Sequence, residues 1–139
     1  MSDTVATEKT SMPEDRAYPP DWFWRIIDSA RGDRVRLRAE LEKLNRGALG
    51  RFTWIFQYAS AELQGGDYAT LCWPDASEDT IADAASRVIV RGKAAYLKAL
   101  DAPAPGDADP DAEGSPGFLS EALLLYQTRY GHPVPPPPP

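Results

Sequence analysis

SEDTIADAASRVIVRGKAAYLKAL, residues Ser77 to Leu100, is the stretch whose spacing decides the fold. Ile81, Ala84, Ala85, Val88, Ile89, Gly92, Ala95, Tyr96, Ala99 and Leu100 recur at steps of three and four. That period gathers side chains on one face of a helix and is wrong for a strand. Ser77 is suited to cap the first turn, and Glu78 and Asp79 set negative charge against the positive end of the helix dipole. Arg91, Lys93 and Lys98 fall toward the other end. Gly92 is the odd member of the stripe. A glycine inside a helix costs about 1 kcal/mol relative to alanine. Its presence predicts either close approach of another helix or a break near Arg91.

Upstream, residues 1–18 are polar and lack a useful period, as expected of a flexible arm. Pro19 and Pro20 mark the start of structure. Asp21 is placed to cap a helix reaching about Ala30, with Trp22, Phe23, Trp24, Ile26 and Ile27 as its apolar surface. Arg31-Gly32 ends it. Asp33 is placed to cap a second helix to about Asn45, with Val35, Leu37, Leu41 and Leu44 partly inward. Gly47 and Gly50 bracket a turn or a helix start. A third helix is expected from about Leu49 to Leu63, facing inward through Leu49, Phe52, Ile55, Phe56, Ala59 and Leu63, with Trp54 and Tyr58 at the margin. Gly65-Gly66 closes it, and a short helix from Tyr68 to Trp73 stops at Pro74.

Downstream, the acidic Pro/Gly segment 101–117 reads as a linker. Phe118, Ala122, Leu123, Tyr126 and Tyr130 then repeat at helical spacing up to Gly131. The tail 132–139, which includes Pro135 and Pro136, favours polyproline II. No alternation of period two is sustained. The expectation is an all-α single compact bundle of five or six helices within residues 19–131, with a disordered N-terminal arm, the acidic linker inside the bundle and a polyproline tail.

A chain of 139 residues fits one domain with tails. Of its formal charge of −6, five negative charges (Asp101, Asp107, Asp109, Asp111, Glu113) lie in the linker, leaving −1 on the remainder. A nearly neutral folded part argues against general nucleic-acid affinity. Cys72 is the single cysteine, which excludes an intrachain disulfide and suits a reducing compartment. There is no apolar leader and no apolar run of membrane-spanning length, so a cytoplasmic location without membrane contact is expected.

Catalytic signatures are sparse. His132 is the one histidine, between Gly131 and Pro133. A Ser-His or Cys-His pair would have to recruit it, and no His-containing ligand set accompanies the paired carboxylates. No cofactor or metal is expected. Glu78, Asp79 and Tyr96 form a weak polar-site candidate. The two acids are better explained by capping and the dipole. Arg31, Arg34 and Arg38 fall close enough to share a face for phosphate or an acidic partner. The plainer reading is a solvated face balanced by Asp28, Asp33, Glu40 and Glu42, and docking of the linker acids Asp107 to Glu113 is a third option. Trp22 and Trp24 cannot point the same way on a helix, so one is expected at the surface as an interaction residue. The tail is either a stiff ligand for an aromatic groove, through Pro135 and Pro136, or a disordered end.

Three segments resemble the DUF4240 family. FWRIIDSAR, Phe23 to Arg31, is similar to the family's opening helix. Ser77, Glu78, Asp79, Val88, Ile89, Gly92, Lys93, Tyr96 and Leu100 match the spacing of its most characteristic segment without a gap. LLLYQTRYGHPVP resembles its terminal helix and Pro-containing tail. The resemblance runs from Asp21 to Pro135 and is weak between Arg46 and Ala76. Two departures stand out. Ala84, Ala85, Ser86 and Arg87 occupy the family's Phe-Arg-x-Trp element, and Pro74-Asp75-Ala76-Ser77 replaces its Gly-Gly-x-Ser. The family has no assigned function, so the resemblance implies a compact, mainly helical bacterial domain and no catalytic residue. Any polar site that the family builds around that Arg would be lost here.

The expected function is therefore a non-enzymatic protein-interaction or accessory module, with a protein partner of unknown identity and an unknown oligomeric state. One alternative is binding of a phosphate ligand or nucleic acid through the Arg-rich second helix. The other is an enzyme with a carboxylate and tyrosine site at Glu78, Asp79 and Tyr96.

Overall fold

Pro20 starts the first helix of the bundle. The computed structural model describes residues 19–64, 78–101 and 117–137. Among them are six helices and no strand: α1 Asp21–Ala30, α2 Arg34–Leu41, α3 Arg46–Gln64, α4 Glu78–Val90, α5 Lys93–Asp101 and α6 Phe118–Tyr130. The chain is an all-α bundle. The arm 1–18, the Tyr68–Trp73 helix, the Ser77 cap, most of the acidic linker and the last two prolines lie outside the described residues.

Asp21 does not cap α1. The cap is Pro20, in an extended conformation, whose carbonyl accepts from the amides of Phe23 (3.1 Å) and Trp24 (3.4 Å). The fixed φ of proline suits the residue that leads into a helix. Asp21 becomes the first helical residue and pairs with Lys93 at 3.7 Å, joining the starts of α1 and α5. At the other end Arg31 adopts left-handed φ 49° and Gly32 φ 76°, so the expected stop is present. Asp33 caps α2 as its sequence position suggests, accepting from the Val35 amide at 2.9 Å. The helix is shorter than expected and ends at Leu41. Val35 is 78% exposed, against the inward reading, while Leu37 and Leu41 are fully buried.

α3 begins three residues earlier than its apolar period suggests. Asn45 accepts from the Ala48 amide at 2.8 Å and so supplies the cap. All six expected core residues of α3 are buried, from Leu49 to Leu63. α3 packs against α4, α5 and α6, and α1 packs against α2 and α4. Phe23 links α1 to α3 through ring contacts with Phe52 at 5.0 Å and Phe56 at 6.3 Å. Each fully buried large side chain in this cluster contributes about 1.5–3 kcal/mol by area removed from water. Thr53, a fully buried hydroxyl in α3, donates to the Gly50 carbonyl at 2.7 Å.

From Glu78 to Leu100 the stretch is two helices. Gly92 has φ 110°, outside the helical region. The amides of Arg91 and Gly92 fold back to Val88 and Ile89, and the Gly92 carbonyl accepts from Tyr96 to begin α5. Close approach also operates. A Cβ at residue 92 would lie 2.9 Å from the Asp28 carboxylate on α1. The negative charge of Asp28 therefore lies near the N-terminus of α5, where the dipole favours it.

α6 spans the expected residues and stops at Gly131, φ 79°. Leu125 is buried in place of Leu123. α6 is fixed to the start of α3 at its far end. Arg46 lies 4.5 Å over the Tyr130 ring, and Arg129 donates to the Leu44 carbonyl at 3.3 Å.

Candidate functional site

The tail does not leave the bundle after α6. Residues 133–137 run back along the outside of α3. His132 sets its ring edge-on to Tyr126 at 5.7 Å. Val134 is half-buried against the core and faces Gly50, from whose Cβ position it lies 4.0 Å. Trp54 then donates its indole N–H to the Pro135 carbonyl at 2.9 Å. Pro137 lines the same grooves as Trp54 and Tyr58, which are one turn apart on the same face of α3. The described part of the tail is thus a docked strand, against the reading of a disordered end.

This strand borders an open groove of about 370 Å³ lined by Pro20, Trp22, Arg51, Trp54, Ile55, Tyr58 and Pro137. A second groove of about 280 Å³ shares Trp54, Tyr58 and Pro137 and adds Gln57 and Ala61. Trp22 and Trp54 are half-buried and Tyr58 is 51% exposed. The lining is mostly apolar and Arg51 is its charged residue. Trp22 is therefore the surface tryptophan of α1. Trp24 is not part of this surface: it is 3% exposed and packs on Tyr96 with ring centroids 5.4 Å apart. A helix turns about 200° between positions two apart, which sends Trp22 outward when Trp24 enters the core.

Trp54 and Tyr58 were legible as margin positions, although neither stands out as a site residue by composition. Their signal was two large aromatics at i and i+4 beside a full apolar face. Pro135 contributes its carbonyl to the docked strand, and Pro136 is exposed within it.

The arginine candidates are not brought together as a free cationic face. Arg31 lies in the left-handed turn after α1. Arg34 packs its side chain over Gly117, where a Cβ would sit 2.8 Å from Arg34 Cδ. Arg38 pairs with Glu42 at 3.3 Å and with Glu121 at 3.4 Å, tying α2 to α6. A cavity of about 470 Å³ lies here, lined by Arg34, Val35, Arg38, Ala39, Glu42 and Glu121. Two carboxylates thus share the space that an anion would need. Contact of this face with the linker acids Asp107 to Glu113 lies outside the described residues.

Tyr96 is fully buried, and its hydroxyl donates to Glu62 at 2.6 Å. Its carboxylate partner is thus on α3. Glu78 and Asp79 open α4, and their side chains lie outside the described residues. Among the described residues no group of three or more His, Cys, Asp or Glu could hold a metal ion, and no helix is long and apolar enough to cross a membrane.

In comparisons with protein-family models, curated proteins and solved structures, nothing matches the chain. The resemblance to the DUF4240 family rests on the residues quoted for it.

Proposed function

We propose that the chain is a non-enzymatic protein-interaction module whose binding surface is the outer face of α3 with the start of α1. One observation carries this reading. Trp22, Trp54 and Tyr58 stand part-exposed around an apolar groove, while Phe23, Trp24, Phe52, Phe56 and Tyr96 are buried in the core. Tyrosine and tryptophan at a concave apolar surface are the side chains that carry most binding energy at protein interfaces. A cytoplasmic location and bacterial origin belong to the same proposal. Anion or nucleic-acid binding through Arg34 and Arg38 has weaker support, because Glu42 and Glu121 line the same cavity. An enzymatic site at Tyr96 has weaker support still, because that hydroxyl is enclosed and already bonded to Glu62.

The test is site-directed photo-crosslinking in the cells that make the protein. A photoreactive residue at position 58 is expected to trap a discrete protein, and one at the exposed position 35 on α2 is not. Adducts at 35 with none at 58 would remove the reading.

A further inference from the structure

We propose that the groove on α3 is a receptor for proline-rich segments, and that the chain's own tail is a cis occupant which such a segment of a partner displaces. This rests on the interaction-module reading above and names the ligand of that surface.

The first reason is the occupant already seated there. Grooves that read polyproline ligands pair apolar contact from aromatic rings with donation to the ligand's carbonyls, because prolines offer carbonyls and no N–H. Trp54 supplies both parts: its indole N–H is on Pro135, and its ring borders the groove beside Pro137.

The second reason is register. One i to i+4 step along a helix advances about 6 Å at 1.5 Å per residue. Two residues of a polyproline II strand advance about the same, at 3.1 Å each. Trp54 donates to Pro135, and two residues on Pro137 lines a groove with both Trp54 and Tyr58, so the tail advances along α3 in that sense. A proline segment lying along α3 thus advances in step with its aromatic positions, and its threefold repeat turns the carbonyl of one residue and the ring of another toward the helix. The groove beside Pro137 is also walled by Trp22 and Pro20, and its volume of about 370 Å³ is space that the described tail does not fill. Arg51 at its edge favours a partner segment with an acidic residue beside its prolines.

The third reason is the tether. Gly131 ends α6 with only a few residues before the contact, so the tail is held at high effective concentration. A partner segment binds only the fraction of molecules whose tail has left, and its apparent affinity falls by that fraction.

The experiment titrates a synthetic HPVPPPPP peptide into the full-length chain and into full-length Val134→Asp by calorimetry. Helix content is checked by circular dichroism, and solution mass by sedimentation over a range of concentrations. Val134 is half-buried against α3, so Asp there should release the tail and leave the bundle intact. The expected result is binding to the variant about tenfold or more tighter than to the natural chain, abolished by adding Trp54→Ala. If Val134→Asp loses helix content, Pro135→Gly with Pro136→Gly serves instead, since it softens the strand without touching the core. No binding to a tail-released chain would overturn the proposal, and so would equal affinity for both chains. A concentration-dependent dimer abolished by Val134→Asp would place the tail on a second copy and overturn the cis assignment. Crosslinks at position 58 that persist without peptide binding would sink this inference alone. Their absence would sink the module reading as well.

Discussion

The indole N–H of Trp54 and the carbonyl of Pro135 meet at 2.9 Å across 81 positions of sequence. That bond joins the middle of α3 to a strand with no secondary structure of its own. A hydrogen bond of this kind contributes about 0.5–1.5 kcal/mol net. Trp54→Phe keeps the ring and removes the donor. It should speed exchange at the His132 and Val134 amides, the prolines between and after them having none, and leave protection of the α3 core amides unchanged, as hydrogen-exchange mass spectrometry can read.

Gly92 and Gly50 should respond to alanine with opposite signs. Gly92 has φ 110° and faces the Asp28 carboxylate at 2.9 Å from a Cβ position, so Gly92→Ala should cost about 1–3 kcal/mol. Gly50 is helical, and a Cβ there would meet Tyr126 at 3.7 Å and Val134 at 4.0 Å, which is ordinary contact. Gly50→Ala should therefore be neutral or stabilise by up to about 1 kcal/mol. Urea unfolding of both variants decides this.

Core and surface on adjoining helices should separate cleanly. Phe52 is fully buried between Phe23 and Phe56, so Phe52→Ala should cost about 3–5 kcal/mol. Val35→Ala, at an exposed position of α2, should stay within about 0.5 kcal/mol. Thermal or chemical melts that rank the two the other way would refute the assigned orientation of α2.

The Arg38 pair is partly screened, with Arg38 43% exposed and Glu121 18% exposed. Arg38→Ala should cost no more than about 1 kcal/mol, and less in high salt. A salt-sensitive affinity for DNA or phosphate that Arg34→Ala and Arg38→Ala abolish would instead restore the anion-binding alternative.

Much of the bundle is legible in the sequence because its helices carry local signals. The α3 stripe from Leu49 to Leu63, the Asp33 cap and the Gly131 stop each depend on near neighbours. Gly92 announced itself as an anomaly, and the break it permits is where α4 gives way to α5. Other features turn on tertiary contact. Asp21 looked like a cap, but Pro20 sets the start and Asp21 is drawn to Lys93. Val35 has the spacing of a core residue, yet α2 has too few neighbours on that side to cover it. Trp54 and Tyr58 were visible at a helix margin and Pro135 in a proline run. Their meeting depends on α6 folding back along α3, which no local pattern encodes.

The most direct measurement is the tryptophan indole spectrum of the 15N-labelled full-length chain during titration with the proline peptide. The Trp54 and Trp22 signals should shift in saturable fashion while that of buried Trp24 stays in place, because only the first two line the groove. Indole signals that stay still at saturating peptide, or a shift confined to Trp24, would contradict a proline-reading surface on α3.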